Sequence, residues 1–418
     1  MKLISLIALT IAAAAAASAQ TFTQHTKTYL VGPNPTAIIA PDLNQDGIVD
    51  IVTANTGALH DPRQERPAND ELSLLLSTGT LEYEVQPPLK TDFAPYALAT
   101  ANIDVRNATD IVAVSFMAVY NRDVTLYRSM GKNIFEPSNF TLDDETLSYN
   151  RMLDGDGEPV FTKPGLTSLI LPDINRDGHR DLIATAWSSD VLVFMPGEAE
   201  TWFGKPTFIP AEAGPRDIAA ADLDNDKHLD LAVALYTSGE IGLWKGGSEG
   251  LFDPVTRFSS RGKLPTTVRL HDVNSDGKTD IVVSHCHTDD SIVIFYGDGE
   301  FSFGVSQEIL LGDARNVLEH EIRDILVQDL NGDQRTDIAA ACYGSKQVTV
   351  LINASTDDTI PQSFNRENYP YNTGRPRALC PADFNKDHVT DIAVALWDDN
   401  AVSILLGNPP DEDKTAKR

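Results

Sequence analysis

The chain has few cysteines, few basic residues and no long apolar stretch beyond its first residues. Cys286, Cys342 and Cys380 are its three cysteines, so one disulfide at most can form and stability must have other sources. Its 33 lysines and arginines face 61 acidic residues, giving a formal net charge of -28, and the basic footprint of a nucleic-acid-binding protein is absent. After residue 19, no run is long and apolar enough to span a bilayer.

The first 19 residues predict a secretory signal. Lys2 supplies the positive charge, residues 3–17 are the apolar core, and residues 17–19 (Ala-Ser-Ala) form a cleavage site before Gln20. A membrane anchor is the alternative, but the apolar stretch is short and ends in the cleavage pattern. We therefore expect a soluble, exported protein that is secreted or, in a bacterium, periplasmic or at the cell surface.

Helical periodicity is also lacking, and residues 313–323 are the one candidate for it. A nine-residue acidic pattern, D-x-[ND]-x-D-x-x-x-D, is instead repeated six times. It occupies residues 42–50, 173–181, 222–230, 272–280, 329–337 and 383–391. A degenerate seventh copy covers residues 102–110, and successive copies begin 49 to 71 residues apart. A period of this length is typical of a repeat architecture.

Acidic groups at positions 1, 3, 5 and 9, with a backbone carbonyl at position 7, would surround a hard cation, and calcium takes six to eight oxygens. Up to six structural calcium ions are predicted, which would reduce the net charge from -28 to about -16. The predicted ligands are Asp42, Asn44, Asp46, Ile48, Asp50, Asp173, Asn175, Asp177, His179, Asp181, Asp222, Asp224, Asp226, His228, Asp230, Asp272, Asn274, Asp276, Lys278, Asp280, Asp329, Asn331, Asp333, Arg335, Asp337, Asp383, Asn385, Asp387, Val389 and Asp391.

Position 6 of the pattern divides the loops into two groups. Gly47, Gly178 and Gly277 permit a tight bend, whereas the other three loops carry Lys227, Gln334 and His388. In those three we expect weaker binding or a distorted turn. In the seventh copy Arg106 takes position 5, which predicts that this loop binds no calcium.

Each unit reads as four strands, shown best by the fifth at residues 266–270, 280–284, 291–296 and 300–311. Seven such units predict an all-β fold, a seven-bladed β-propeller over residues 20–408, followed by a polar tail at residues 409–418. Residues 21–30 resemble a fourth strand and residues 401–407 a third strand. Their pairing would complete the last blade and remove an exposed sheet edge.

These units resemble the FG-GAP/VCBS repeats of integrin-α-like propellers. The resemblance lies in the acidic loops, in the D-[IL]-[VIA]-x-[AVS] strand after each, and in the Gly-to-Phe turns at residues 131–135, 246–252 and 297–303. It covers nearly all of the mature chain and implies calcium-binding blades. An EF-hand array is the rival calcium fold, but its position-12 glutamate and flanking helices are missing.

Comparing the units predicts a ligand face opposite the acidic loops. The residues six before each loop are Thr36, Tyr96, Thr167, Arg216, Thr266, Arg323 and Arg377. The residues six after each loop are Thr56, Phe116, Trp187, Tyr236, Cys286, Tyr343 and Trp397. Insertions at residues 55–69 and 140–164 border the same face.

Aromatic rings suit sugars and arginine forks suit carboxylates. The candidate ligand-binding residues are Arg216, Arg323, Arg377, Tyr96, Trp187, Tyr236, Tyr343 and Trp397. In the alternative interpretation, the aromatics pack between blades and the arginines pair with Asp217, Glu321 or Asp324.

No Ser-His-Asp set, phosphate loop or H-E-x-x-H helix is present. The cluster His285-Cys286-His287, with Asp289 and Asp290, reads as a turn because neighbouring strand residues point to opposite sides. We therefore expect a non-catalytic, monomeric binding protein for an extracellular glycan or protein. The alternatives are a carbohydrate-active lyase or dehydratase, by analogy with enzymes on related propellers, and a structural or adhesive surface component.

Overall fold

The computed structural model describes residues 20–57, 69–103, 108–117, 122–131, 134–142, 151–153, 159–161, 165–247, 251–286, 291–312 and 321–409. Outside these ranges lie the predicted signal, Arg106, the tip of the first insertion, most of the second, residues 287–290, residues 313–320 of the candidate helical period, and all but the first residue of the predicted tail.

Seven antiparallel sheets of four main strands succeed one another along the chain, as predicted. Within each, the first strand lies innermost and the fourth outermost. Blade 1 contains Pro35–Ile39, Ile51–Asn55, Glu71–Gly79 and Glu82–Val85, with Leu89–Lys90 beside its third strand. Blade 2 contains Phe93–Ala101, Asp110–Met117, Val124–Ser129 and Phe135–Phe140. Blade 3 contains Leu166–Ile170, Leu182–Ala186, Val191–Met195 and Thr207–Pro210, with a 3₁₀ turn at Trp187–Ser189.

The second half of the ring repeats this order. Blade 4 contains Pro215–Ala221, Asp230–Leu235, Glu240–Gly246 and Phe252–Ser259. Blade 5 contains Pro265–His271, Asp280–His285, Ser291–Tyr296 and Val305–Leu310. Blade 6 contains Ile322–Gln328, Asp337–Cys342, Gln347–Asn353 and Phe364–Pro370. Blade 7 contains Pro376–Ala382, Asp391–Leu396 and Ala401–Gly407. Two small hairpins pair Arg151–Leu153 with Pro159–Phe161 and Gly197–Glu198 with Trp202–Phe203.

The N-terminal segment completes blade 7. Phe22–Gln24 and Tyr29–Leu30 both pair antiparallel with Ala401–Gly407, with Phe22 opposite Gly407 and Tyr29 opposite Val402. The predicted closure is confirmed, although the closing segment is two short strands rather than one. Pairing the two ends of the chain leaves no free third-strand edge in blade 7.

Among the described residues, the core consists of seven apolar clusters, one between each pair of neighbouring blades. One of them joins blade 7 to blade 1 through Ile404, Ala395, Ile38 and Leu75, so the ring is closed by packing as well as by strand pairing. Because each blade is covered on both faces, second strands such as Asp230–Leu235 are buried at every position. Fourth strands such as Phe252–Ser259 are largely exposed.

Two expectations from the sequence need correction. The candidate helical period at residues 313–323 is wrong at its end, because Ile322–Gln328 is the first strand of blade 6. The fourth strand of blade 5 begins at Val305 rather than at residue 300. Asp298 accepts backbone hydrogen bonds from Glu300 and Ser302 there, which fixes a turn before the strand. Within the described residues, no helix has the length and apolarity that a membrane crossing requires.

Candidate functional site

At one end of the propeller, the last aspartate of each acidic loop ties the loop to its own blade. In blade 5, Asp280 is fully buried and accepts hydrogen bonds from the amides of Val273, at 2.8 Å, and Gly297, at 2.9 Å. The same pair of bonds recurs in every blade. The buried acceptors are Asp50, Asp110, Asp181, Asp230, Asp280, Asp337 and Asp391.

Blade 2 shows that this closing role does not depend on the rest of the pattern. Its acidic loop is degenerate, yet Asp110 accepts hydrogen bonds from the amides of Ile103 and Ser129. Position 9 is therefore required by the blade itself, whatever it contributes to a cation. Burial raises the pKa of Asp280 to about 6 and of Asp337 to about 7, because little solvent reaches the charge.

All six good loops adopt one turn, including the three that lack glycine at position 6. The backbone φ there is +72° at Lys227, +67° at Gln334 and +66° at His388, close to the +76° of Gly47. The expected distortion of these turns is therefore wrong. In every loop the position-6 amide donates to the position-1 carboxylate, and the position-7 amide donates to position 5. These bonds hold non-glycine residues in the left-handed conformation.

The loops fit a hard cation at specific oxygens. Buried oxygens without a hydrogen-bond partner occur at Asp173 Oδ1, Asp222 Oδ1 and Asn274 Oδ1, in three different loops. In blade 4, carboxylate oxygens of Asp222, Asp224 and Asp226 lie within 4.8 Å of one another. Such oxygens are the donors that calcium prefers, and the ion would neutralise their mutual repulsion.

A basic residue beside the predicted ligands distinguishes the loops without the glycine from the other three. In each loop without the glycine, one already contacts a predicted calcium ligand. Lys245 Nζ binds Asp224 and lies 2.9 Å from Asp226, Arg335 binds Asp333, and His388 Nδ1 lies 3.8 Å from Asp383. In the described part of the chain, no ion pair reaches the ligand carboxylates of the three glycine loops.

At the opposite end, a β-bulge aims one residue of each first strand toward the central channel. In blade 4, Pro215 pairs with Leu235 and Asp217 with Ala234, so Arg216 has no partner in the ladder. The pairing of the first strand shifts at the equivalent position in all seven blades. The residues at these bulges line one cavity of about 440 Å³ and are Thr36, Tyr96, Thr167, Arg216, Thr266, Arg323 and Arg377.

Three of these seven residues are threonines that bond to the neighbouring blade, and the other four have larger side chains. Thr266 Oγ1 donates to the carbonyl of Ile322 in the next blade, and Thr36 and Thr167 bond to the next blade in the same way. The threonines therefore join blades. Tyr96, Arg216, Arg323 and Arg377 are left to determine the chemistry of the channel mouth.

Tyr96 is the centre of this group. Arg216 Nη2 and Arg377 Nη2 lie 2.5 Å and 2.8 Å from its hydroxyl oxygen, although the three residues are far apart in sequence. Burial alone would raise the pKa of Tyr96, but the positive charges of Arg216, Arg377 and Arg323 lower it to about 8. Arg377 is 8% exposed, and burial and the other two arginines hold its pKa below the usual value.

The third arginine of the mouth has a carboxylate partner. Arg323 donates from Nε, at 3.1 Å, and from Nη2, at 2.5 Å, to Glu321 Oε2. The alternative interpretation from the sequence, in which the arginines pair with nearby acidic residues, is thus correct for Arg323. It does not describe Arg216 and Arg377, for which no ion pair with a carboxylate is found among the described residues.

Sequence reasoning missed a fourth arginine, deeper in the channel. Arg269 bridges two blades, with Nη1 2.7 Å from Asp217 Oδ2 and Nη2 2.8 Å from Asp324 Oδ1. Asp217 also accepts from Ser168 Oγ, and Asp324 accepts from the amide of Leu379. The two aspartates occupy the same register position in blades 4 and 6, on either side of blade 5, and this spacing was the available signal.

Aromatic side chains form a half-buried row beside the arginines. Ring centroids are 5.6 Å apart for Tyr96 and Phe116, 6.1 Å for Phe116 and Trp187, and 6.5 Å for Trp187 and Tyr236. The Arg216 guanidinium lies 5.3 Å from the Tyr96 ring and 5.7 Å from the Tyr236 ring. We call these four rings, Tyr96, Phe116, Trp187 and Tyr236, the aromatic row.

A second, separate aromatic pair lies further round the ring. Tyr343 and Trp397 are 6.4 Å apart, and Arg323 and Arg375 lie over Tyr343 at 5.3 Å and 5.1 Å. All predicted aromatic candidates are therefore at this end of the propeller, but in two groups rather than one continuous belt.

In the described part of the histidine and cysteine cluster, His285 and Cys286 point to opposite sides, as predicted, and residues 287–290 lie outside the described ranges. His285 is buried, with Nε2 3.0 Å from Ser260 Oγ and Nδ1 3.2 Å from the carbonyl of Ser291. Cys286 Sγ instead approaches the Tyr236 hydroxyl at 3.7 Å. Adjacent side chains point apart, so these two do not converge on a metal. Cys286, Cys342 and Cys380 are all free thiols.

The chain is similar to known proteins in part of its sequence and in its fold. A sequence model described as FG-GAP-like repeat matches residues 173–233, 222–283 and 329–394, which fall on blades 3 to 7. No curated protein matches the chain. Among solved structures, it is similar to BBS1N in complex with ARL6DN, with 13% identity, a TM-score of 0.60, and coverage of 93% of this chain and 97% of that one.

Two further structures have the same degree of identity. They are a protein from Lactobacillus plantarum and a candidate 6-phosphogluconolactonase from Bacteroides fragilis. Each is 13% identical with a TM-score of 0.54, and the match covers 82% of this chain and 86% of the other. Identities this low establish a shared fold alone.

Proposed function

We propose that this seven-bladed propeller, parts of which match the FG-GAP-like repeat, is a non-catalytic binding protein, because such a fold serves binding and structural roles. Its ligand is an extracellular glycan or a protein. The ligand binds at the channel mouth, defined by Tyr96, Arg216, Arg323 and Arg377, and along the aromatic row. Calcium in the acidic loops stabilises the opposite end.

One observation carries the proposal. Arg216 and Arg377 are directed at the same hydroxyl group without a carboxylate partner among the described residues, although the chain has nearly twice as many acidic as basic residues. Positive charges that only serve packing are normally paired when they are buried. Two that are left unpaired beside aromatic rings suit an acidic partner from outside the chain.

Export and calcium complete the proposal. The signal-like residues 1–19 support secretion, where millimolar calcium would fill loops of modest affinity. We propose that the three glycine loops bind calcium most tightly. Lys245, Arg335 and His388 weaken binding in the other three by occupying or approaching the ligand oxygens.

A glycan array tests the binding function. The mature protein should retain acidic oligosaccharides, and the double variant R216A/R377A should lose them. Arg257 is the matched control, because it is an arginine of an outer strand that pairs with Glu212, away from the channel. R257A should bind like the wild type. A protein that retains no glycan and no protein partner under these conditions would instead favour a structural or adhesive role.

A carbohydrate lyase is the second candidate, and the lowered pKa of Tyr96 favours it. A Tyr96 phenolate would remove the proton next to a sugar carboxylate while the arginines hold the carboxylate, and the resulting Tyr96 hydroxyl would return that proton to the glycosidic oxygen as it leaves from the neighbouring carbon. The unsaturated product absorbs in the ultraviolet. Appearance of that absorbance with wild type, and its loss in Y96F, would replace the binding proposal with the enzymatic one.

A further inference from the structure

We propose that Tyr96, Arg216 and Arg377 form a subsite for a single carboxylate group of an acidic sugar. The proposal deepens the binding function above and rests on it. It assigns the charged end of the ligand to the channel mouth and the sugar ring to the aromatic row.

The hydrogen-bond inventory of Tyr96 is the first step. Its hydroxyl oxygen has two lone pairs, and the guanidinium groups of Arg216 and Arg377 each donate to it. The hydroxyl proton must then be directed elsewhere, and the described residues supply no acceptor for it. Tyr96 is only 8% exposed, and it lines the cavity. It lacks an acceptor oxygen, which a ligand can provide.

The charge inventory is the second step. Arg323 is neutralised by Glu321, and Arg269 is shared between Asp217 and Asp324 one layer deeper. Among the described residues, by contrast, no carboxylate forms an ion pair with Arg216 or Arg377. Arg377 is 8% exposed, and burial together with the charges of Arg323 and Arg216 lowers its pKa, although Asp324 in the layer below acts in the opposite direction. A bound anion would relieve this repulsion.

The surroundings select a carboxylate over a doubly charged phosphate. The subsite offers two guanidinium forks and one hydroxyl, which match the two oxygens of a planar carboxylate. Just below lie Asp217 and Asp324, which together carry one more negative charge than Arg269 compensates. A second negative charge on the ligand would be repelled by this layer.

The aromatic row selects a sugar as the bearer of the carboxylate. Arg216 lies over both Tyr96 and Tyr236, so a group bound to Arg216 is beside the row that continues through Phe116 and Trp187. The apolar face of a pyranose ring packs against such rings, while its hydroxyl groups remain free to bond. A uronic acid, whose carboxylate is attached directly to the ring, satisfies both requirements.

The phenolate absorbance of Tyr96 reports on the subsite directly. Near pH 8 Tyr96 is ionised in a fraction of the molecules, and the difference between the spectra of wild type and Y96F gives its contribution to the phenolate absorbance. The charges that face it are Arg216, Arg377 and Arg323, with Glu321 behind Arg323 and the Asp217, Arg269 and Asp324 layer below. A carboxylate bound to the arginines adds negative charge, which raises the pKa of Tyr96, so the absorbance should fall.

The experiment compares D-glucuronate with D-glucose, glucose 6-phosphate and glucose 6-sulfate on the mature wild-type protein. Only glucuronate should reduce the phenolate absorbance with a saturating dose response. R216K and R377K keep the charge but lose the fork, and each should weaken glucuronate binding by about tenfold. R257A should leave it unchanged. Calorimetry with a trigalacturonate and its carboxyl-reduced form measures the same preference on a longer ligand.

The outcomes separate this proposal from the one beneath it. If the trigalacturonate and its reduced form bind equally well, the binding function stands and the carboxylate subsite is overturned. If neither binds and glucuronate leaves Tyr96 unchanged, the carboxylate subsite is overturned, whereas the binding function is overturned only if the protein also retains no other glycan and no protein partner. A larger response to the phosphate or the sulfate would overturn the assignment of a carboxylate. Loss of binding in R257A as well would show that the lysine variants act through stability.

Discussion

The two ends of this propeller follow opposite rules. At the loop end, a buried aspartate accepts the same two backbone hydrogen bonds in all seven blades, even where the acidic loop is degenerate. At the channel mouth, the equivalent bulge position carries threonine, tyrosine or arginine according to the blade. A feature that every blade repeats is one that every blade needs in order to fold. A position that differs between blades is free to serve a ligand.

Replacing Asp110 should give the largest effect and would test the first rule. In D110A the amides of Ile103 and Ser129 lose their buried acceptor, and each such loss costs about 1–3 kcal/mol. We expect a loss of about 2–6 kcal/mol in the free energy of unfolding, measured by urea denaturation. The loss should be the same with calcium and with a chelator, because this loop is predicted to bind none.

D280A is the comparison for D110A, because its loop has the full pattern and a glycine at position 6. It should be destabilised more in calcium than in chelator, since both the closing bonds and a predicted ligand are lost. An Asp110 variant that is as calcium-sensitive as the Asp280 variant would contradict the separation of closing role and ligand role.

Removing calcium should have the next largest effect per site, and it should act on the loop end alone. Each filled site stabilises the fold by about 2.7 kcal/mol when free calcium is a hundredfold above its dissociation constant. We expect a chelator to lower the melting temperature, with three tight ions counted by calorimetry. Tyr96 ionisation at the other end should not change. An unchanged melting temperature would show that calcium does not stabilise the fold.

Much of the fold could be predicted because its signals are local and repeated. The acidic nonamer sets the position of the turn between the first two strands, and the residue alternation around it sets the strands. Even the pairing of residues 401–407 with the start of the chain follows from counting strands. Only the end of the candidate helical period can be compared with the structure, where Ile322 and Arg323 begin the first strand of blade 6, because residues 313–320 lie outside the described part of the chain.

The sequence predicted which residues lie at the candidate site, but not which acidic side chain pairs with which arginine. Comparing units placed Tyr96, Arg216 and Arg377 in one ring, since each stands six residues before its loop. Which arginine meets which acid depends on side-chain reach across the channel, and no spacing in the sequence records it. The alternative interpretation offered Asp217 and Asp324 as partners for the ring arginines, but these aspartates bind Arg269 from the layer below.

Replacing Lys245 should have a moderate effect and would sharpen the contrast between loops. Its ammonium group contacts Asp224 and Asp226, so it competes with calcium for two predicted ligands. We expect K245A to strengthen calcium binding in blade 4 by about fivefold, a solvent-screened pair being worth about 1 kcal/mol. Lys205 is an exposed lysine, and K205A controls for the change in charge. Equal gains in the two variants would show a general charge effect.

The smallest expected effect concerns Arg323, the one mouth arginine that has a partner. Glu321 already accepts two of its hydrogen bonds, so R323A should weaken glucuronate binding by less than about threefold. E321Q removes that counterion, and the freed guanidinium should strengthen binding by about threefold. Calorimetry on R323A, E321Q and R216K in parallel ranks their affinities for glucuronate. If R323A lost as much affinity as R216K, the ion pair would not be what distinguishes the arginines. The channel mouth would then act as one undivided positive patch.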